Sequence, residues 1–77
     1  MKWEEYEQKI KKFCIYPDAG QGTELEISYL GLGLASEAGE VAGVVKKELR
    51  DAPEDTHVKL FKELGDVMWY ATRLMSL

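Results

Sequence analysis

Residues 23–49 read TELEISYLGLGLASEAGEVAGVVKKEL, and this stretch decides the fold. Apolar side chains recur within it every three or four residues, which is the spacing of an α-helix packed along one side. This predicted apolar stripe consists of Ile27, Leu30, Leu34, Val41 and Val45. Thr23 with Glu26 three residues later is a capping-box signature. We therefore predict a helix that starts at Thr23 and runs to about Leu49.

Glycines occupy positions 31, 33, 39 and 43 of this predicted helix. Each interior glycine costs about 1 kcal/mol of helix propensity relative to alanine, so helicity alone does not explain them. Glycine lets another backbone approach closely, or leaves space beside the helix for a ligand. For Gly31 and Gly33, a tight helix crossing and ligand clearance are both open interpretations. A kink or a partial break of the helix near residues 30–33 is a further alternative.

Two further helices are predicted on either side of this stretch. One runs from Lys2 to about Cys14, and the other from residue 57 to about 76 with Thr56 as a candidate cap. The first apolar set is Trp3, Tyr6, Ile10 and Phe13, and the second is Leu60, Phe61, Leu64, Val67, Met68, Ala71 and Met75. Turns containing Pro separate the helices at residues 16–22 and 51–55. No segment alternates apolar and polar residues with the period of two that is typical of a β-strand. The predicted fold is therefore an all-α antiparallel bundle of about three helices.

The chain is short, with 77 residues in one small predicted domain. A core of this size seldom supplies more than about 3–5 kcal/mol, so small proteins add disulfides, metals or oligomerisation. Cys14 is the single cysteine. It excludes an intramolecular disulfide and favours a reducing compartment, where such a thiol is usually a small buried hydrophobe. Because 45% of the residues are apolar, a high share for a small monomer, we predict that self-association completes the bundle.

Charge and hydropathy exclude several classes of protein. No segment approaches the roughly 20 apolar residues that span a bilayer, and the N-terminus lacks a signal-peptide pattern, so we expect a cytoplasmic protein without membrane contact. The net charge of −4 argues against a general nucleic-acid binder, which would carry a basic face. His57, the only histidine, is expected to be solvated at the start of the third helix. It makes no zinc site because no cysteine lies near it.

Two acid pairs lie within the predicted helices, Glu37-Ala-Gly-Glu40 and Glu63-Leu-Gly-Asp66. Residues three apart lie on the same side of a helix, so two antiparallel helices would bring four carboxylates together. Such a cluster repels itself unless a cation lies within it. Oxygen ligands suit hard divalent ions such as Mg²⁺ or Mn²⁺. The pairs therefore point to metal-assisted chemistry on a phosphorylated substrate.

Helical projection gives the four acids different positions. Glu37 falls on the apolar stripe, where an ionised carboxylate is costly unless it is paired or bound to a metal. Glu40 lies at the edge of the stripe, Glu63 at the shoulder of the third helix's core face, and Asp66 further out. Acid pairs with this spacing are also common on solvated helix surfaces. A metal site and a solvated face are therefore both open.

Three residues near the acids are candidates for substrate binding. Lys47 shares a helix face with Glu40, which makes it the best lysine to meet a phosphate. Trp69 and Tyr70 directly follow the second acid pair. Two roles are open for these aromatic residues, packing in an interface and lining a pocket for a base.

The acid pairs lie in two longer segments, Leu34-Ala-Ser-Glu-Ala-Gly-Glu-Val41 and Glu63-Leu-Gly-Asp-Val67, the second followed by Trp69-Tyr70. Over about residues 23–75 the chain resembles the MazG-like branch of the all-α nucleoside triphosphate pyrophosphohydrolases. The resemblance implies a helical homodimer or dimer of dimers, with Mg²⁺ (or Mn²⁺ in its place) held by Glu37, Glu40, Glu63 and Asp66. It also implies cleavage of a nucleoside triphosphate to the monophosphate and pyrophosphate, with Glu37 or Glu40 orienting or deprotonating the attacking water.

Two other functions are open from the sequence. The phosphoribosyl-ATP pyrophosphohydrolase of histidine synthesis shares the acid signature, and a non-catalytic helical interaction module would carry the same acids solvated. Members of the MazG-like family usually continue into a further helix that closes the site. We therefore expect residues 1–77 to form a single MazG-like helical domain that is short at its C-terminus. A partner chain completing the pocket, a truncated form and a reduced form with impaired activity are the three alternatives.

Overall fold

Three α-helices build the computed structural model of the chain, which describes residues 2–77. They are α1 (Trp3–Lys11), α2 (Glu24–Asp51) and α3 (Thr56–Met75), and 75% of the described residues are helical. No strand occurs within residues 2–77, so the all-α prediction is confirmed. In the same range, no helix combines the length and the apolar character needed to cross a bilayer.

The limits of α2 follow from the residues at its two ends. The Thr23 hydroxyl oxygen accepts a hydrogen bond from the Glu26 backbone N–H at 3.2 Å, which confirms the predicted cap. The other half of the predicted capping box is wrong, because the Glu26 carboxylate accepts from Tyr16, Gly20 and Gly22 and not from the Thr23 N–H. The helix then runs unbroken through its glycines, so the alternative of a partial break near residues 30–33 is wrong, and a kink there stays a prediction. It ends at Asp51 because Ala52 adopts a left-handed conformation, with φ of 44°, and Pro53 follows.

α1 is shorter than predicted and ends at Lys11 rather than near Cys14. Beyond Lys11 the chain turns more tightly, because the Phe13 N–H donates to the Ile10 carbonyl and the Cys14 N–H to the Lys11 carbonyl. These i to i+3 bonds are those of a 3₁₀ turn. Pro17 also disfavours helical backbone in the residue before it, so the helix cannot continue through this segment.

α3 begins at Thr56, and the prediction that Thr56 caps it is wrong. Asp55 occupies the capping position without a side-chain hydrogen bond to the helix. The Thr56 hydroxyl instead donates to the Glu48 carboxylate of α2 at 2.6 Å. This bond joins the start of α3 to the end of α2 across the turn.

α2 and α3 pack side by side in opposite directions, and α1 packs against α3. The crossing is tight at Gly33, where an added Cβ would overlap the ring of Tyr70. A Cβ added at Gly31 would meet no atom within 4 Å. The interpretation of a tight helix crossing is therefore confirmed for Gly33, and within this chain it does not apply to Gly31.

Gly33→Ala is expected to destabilise the protein, while Gly31→Ala, its matched control, is expected to stabilise it. Overpacking costs about 1–3 kcal/mol, and the gain of about 1 kcal/mol in helix propensity offsets only part of that cost at position 33. The Tyr70 ring cannot shift freely because Trp69 packs against it, with 5.0 Å between ring centres. Urea unfolding of both variants measures the two free energies. If both substitutions changed the free energy of unfolding in the same direction, the result would contradict a tight crossing at Gly33 alone.

The apolar core of a single chain is small, and its buried apolar side chains are Ile10, Tyr16 and Leu30. The following predicted core residues are exposed instead: Trp3, Phe13, Ile27, Val45, Phe61, Leu64, Met68 and Met75. On α2 the cause is rotation of the helix. Glu26 and Leu30 are buried, and Ile27 lies about 100° further round from Glu26. On α3 the cause is a lack of covering helices, since α2 and the short α1 are the only helices within residues 2–77 that pack against it.

The shape of the chain is extended for its size. Its radius of gyration is 14.3 Å and its principal extents are 43 × 28 × 17 Å. A compact domain of this length has a radius of gyration of about 11–12 Å. Much of the apolar surface on α2 and α3 is therefore available for contact with another surface.

Candidate metal centre

Three carboxylates meet where the middle of α2 faces the middle of α3. Glu37 lies opposite Glu63 and Asp66, and one oxygen of each side chain lies within 4.8 Å of the other two. All three side chains are half-buried. Asp66, the acid that helical projection puts furthest out, belongs to the group because the antiparallel packing turns that side of α3 toward α2.

Glu40 lies outside this group of three. Its side chain is exposed on the next turn of α2, although its charge still acts on Glu37. The four acids of the sequence motif therefore divide into a compact group and one neighbour. Binding of a metal by all four stays a prediction.

Burial and the neighbouring acids raise the pKa of the Glu37 carboxyl. Burial is the largest cause, followed by the charges of Asp66 and Glu63 and by a hydrogen bond with Glu63. An ionised Glu37 is therefore costly unless positive charge lies beside it. Carboxylate oxygens are the ligands that Mg²⁺ and Mn²⁺ prefer, so this set of donors suits a hard divalent cation.

A cavity of about 370 Å³ opens beside the acids. Its lining combines Glu37 and Asp66 with the rings of Phe13, Trp69 and Tyr70. Sites for small molecules range from roughly 300 to 1,000 Å³, so the volume suffices for a compact ligand. Trp69 and Tyr70 thus line one and the same cavity. A second cavity, of about 230 Å³, is lined by residues away from the acids, Lys2, Trp3, Tyr6 and Met68.

Phe13 is a site residue that sequence reasoning missed, because its spacing predicts a core position on α1. Since α1 ends at Lys11, Phe13 lies in the turn that follows and lines the cavity. The Lys12 ammonium lies 5.2 Å from the centre of the Phe13 ring, which brings a positive charge close to the cavity. Sequence reasoning missed Phe13 because α1 is shorter than its apolar spacing predicts. Pro17 is the only residue in the sequence that signals this early end of the helix.

Lys47 and His57 are both exposed. Lys47 lies ten residues beyond Glu37, which is about 15 Å along the axis of α2. Its contact with a phosphate stays a prediction. His57 lies in the first turn of α3, in agreement with the predicted solvated position.

Two more aromatic residues support the wall of the cavity. Tyr16 stacks on Tyr29, with 5.0 Å between ring centres, and meets Trp69 edge-on at 6.0 Å. Trp69 in turn meets Tyr70 edge-on at 5.0 Å. We call Tyr16, Tyr29, Trp69 and Tyr70 the aromatic cluster. Edge-on and stacked pairs of this kind stabilise one another beyond their buried area.

The chain belongs to the MazG family. Residues 26–77, more than half of the chain, match the family described as MazG nucleotide pyrophosphohydrolase domain. This confirms the resemblance drawn from the two acid segments. The chain is also 43% identical over 76 residues to the Gene 37 protein of Mycobacterium phage L5. That alignment covers 92% of this chain and 67% of the phage protein. No solved structure matches the chain significantly.

Proposed function

We propose that the protein is a Mg²⁺-dependent nucleoside triphosphate pyrophosphohydrolase, which cleaves an NTP or dNTP to its monophosphate and pyrophosphate. One observation carries the proposal, the group of Glu37, Glu63 and Asp66 beside a cavity lined with aromatic rings. Membership of the MazG family supports the same reaction class. We expect the enzyme to act on the nucleotide pool of the cytoplasm.

The acids hold the cation and accept the proton in this proposal. When bound, Mg²⁺ neutralises phosphate charge and lowers the pKa of coordinated water. Glu37, Glu63 and Asp66 act as ligands together with Glu40, and Glu37 or Glu40 also orients the water and accepts its proton. The water adds to phosphorus, the anhydride bond between the α- and β-phosphates breaks, and pyrophosphate leaves. No nucleophilic side chain is required.

The aromatic rings and a lysine bind the rest of the substrate. Trp69, Tyr70 and Phe13 offer flat apolar faces, and stacking of a base on such a ring is worth about 1–3 kcal/mol. We propose Lys47 as a phosphate contact, and Lys12 as a second one because it lies beside Phe13. We propose a role in controlling the nucleotide pool because the substrates are nucleoside triphosphates, and this role does not require a preference for one particular base.

An assay of pyrophosphate release tests the proposal. Canonical and modified NTPs and dNTPs are offered with Mg²⁺ or Mn²⁺, and the same reactions with a chelator serve as the control. Phosphoribosyl-ATP is included because turnover of that substrate alone would favour the histidine-synthesis alternative. If the wild-type protein releases pyrophosphate no faster than Glu40→Gln with any of these substrates, the hydrolase proposal fails and a helical interaction module is favoured.

We also propose that the chain forms a homodimer or a dimer of dimers. The support is the exposed apolar surface on α2 and α3, including Phe61 at 83% and Met75 at 68% exposure, on a chain with a small core. Isolated apolar residues are common on surfaces, but a row of them along two adjacent helices is typical of an interface.

Phe61→Lys is expected to lower the mass of the assembly, because a charge would have to be buried in the interface. Light scattering should give at least twice the chain's 8.8 kDa for the wild-type protein and a smaller mass for the variant. Ile15→Lys is the matched control, since Ile15 is even more exposed, at 93%, but lies in the segment after α1. A wild-type mass of one chain, or equal effects of the two variants, would contradict this assignment.

A further inference from the structure

A buried polar network connects the segment after α1 with both long helices. The Tyr16 hydroxyl donates to the Glu26 carboxylate at 2.6 Å and accepts from the Arg73 guanidinium at 3.2 Å. The Arg73 Nη2 lies 3.6 Å from a Glu26 oxygen. Glu26 is fully buried and Arg73 is 5% exposed. These three residues have no place in the proposed chemistry.

Glu26 also holds the far end of the same segment. Its two carboxylate oxygens accept from the backbone N–H groups of Gly20 at 2.6 Å and Gly22 at 2.7 Å. Both glycines have positive φ, 79° and 68°, a backbone conformation that other residues rarely adopt. We call residues 12–22 the latch segment, because one carboxylate fixes it at Tyr16, at Gly20 and at Gly22.

The latch segment forms part of the cavity beside the acids. Phe13, near its start, lines that cavity together with Glu37 and Trp69. Tyr16, three residues later, packs edge-on against Trp69 and stacks on Tyr29. Of the cavity rings, Trp69 thus packs directly against the residue that the buried carboxylate holds, and Phe13 lies three residues before that residue in the same segment.

We propose that Glu26, Tyr16 and Arg73 are positioning residues for the nucleotide base, holding Phe13 and Trp69 at the separation that accepts it. The proposal rests on the proposed function for the identity of the ligand. Burial first, then the hydrogen bond to Glu26, raises the pKa of Tyr16 to about 12, so its hydroxyl stays a donor across the physiological pH range. A purely structural role would change stability alone, whereas positioning of the base changes substrate affinity in a folded protein.

The test uses Tyr16→Phe, which keeps the ring and removes the hydroxyl at the centre of the network. The parent protein and every variant compared with it carry Trp3→Phe, so that Trp69 is the only source of tryptophan fluorescence. Ser76→Ala is the matched control, because it removes another side-chain hydrogen bond, 3.1 Å to Glu7, that lies outside the latch segment. We measure acrylamide quenching of Trp69 without nucleotide, and then KM and kcat.

Tyr16→Phe is expected to increase the quenching of Trp69 and to raise KM about tenfold, with kcat changed less than about twofold. Ser76→Ala should leave all three quantities unchanged. Unchanged quenching in Tyr16→Phe overturns the positioning role, and increased quenching with unchanged KM overturns its link to the base. If the wild-type protein hydrolyses no nucleotide, the proposed function fails and the quenching comparison alone decides whether the network positions Trp69. Arg73→Lys replaces Tyr16→Phe in the same comparison if that variant does not fold.

Discussion

Glu37→Gln is expected to lower kcat/KM for pyrophosphate release by at least about 100-fold. Loss of an outer-shell partner of a metal ligand costs roughly 10–100-fold by itself, so loss of a ligand should cost no less. Glutamine keeps the shape of the side chain but removes the charge that attracts the cation and the base that accepts a proton. Initial rates with the best substrate and saturating Mg²⁺ measure the effect.

The same variant should also lose its stabilisation by metal. At about 100 times its Kd, a cation that binds only the folded protein adds about 2.7 kcal/mol, which raises the Tm of a domain of this size by roughly 10–20 °C. Wild type should show this rise with Mg²⁺ or Mn²⁺, and Glu37→Gln should show little. Glu54→Gln removes the same charge from an exposed turn and is the matched control. An equal rise in Glu37→Gln would contradict a metal site at this residue.

In the absence of metal, Glu37→Gln should be at least as stable as the wild-type protein at pH 7. Burial and the neighbouring carboxylates raise the pKa of Glu37, so the folded protein binds that proton more tightly than the unfolded chain does. The charged form is therefore unfavourable in the fold, and this cost grows as pH rises from the ordinary value of 4.5 through the raised pKa. Glutamine removes the cost. Loss of activity without loss of stability separates a functional acid from a structural one.

Arg73→Leu is expected to destabilise the protein by about 3–5 kcal/mol, the usual cost of removing one partner from a buried ion pair. The variant leaves Glu26 buried without its cation, and the Tyr16 hydroxyl loses a donor. A core of this size seldom supplies more than about 3–5 kcal/mol, so the variant should be largely unfolded at 25 °C. Far-UV circular dichroism and urea unfolding measure the change.

Arg50→Leu is the matched control for this prediction. Arg50 lies closer to its partner Asp51, at 2.8 Å, than Arg73 lies to Glu26, at 3.6 Å. Both side chains of the Arg50 pair are more than half exposed, so water already solvates them and the pair should contribute nothing measurable. If the two leucine variants lost the same free energy of unfolding, burial would not be the reason that the Arg73 contact stabilises the protein.

Acid should weaken the same network. Burial on its own would raise the pKa of Glu26, but the hydrogen bonds from Tyr16, Gly20 and Gly22 and the charge of Arg73 bring it below 4.5. Because the folded pKa is the lower one, the carboxylate stabilises the fold fully above pH 4.5. That stability is lost as pH falls from 4.5 through the folded value.

The sequence by itself determined the local structure and the family. Apolar spacing of three and four residues predicted three helices, and the cap at Thr23 was correct because its hydrogen bond joins residues only three apart. The acid segments sufficed to identify the MazG family, because their spacing within each helix is a local property. That spacing also indicated that Glu37 lies on the side of α2 that packs against another helix.

Only the tertiary structure decided which sides of the helices are covered and which side chains meet. Glu26 is charged and follows a capping residue, yet the latch segment folds over it and supplies donors from Tyr16, Gly20 and Gly22. Asp66 faces Glu37 because α2 and α3 pack in opposite directions, and Phe61 is exposed because no other described helix covers that side of α3. The helical period fixes the angles between side chains on one helix. It does not fix the rotation of that helix against its neighbours, which depends on contacts between residues far apart in the chain.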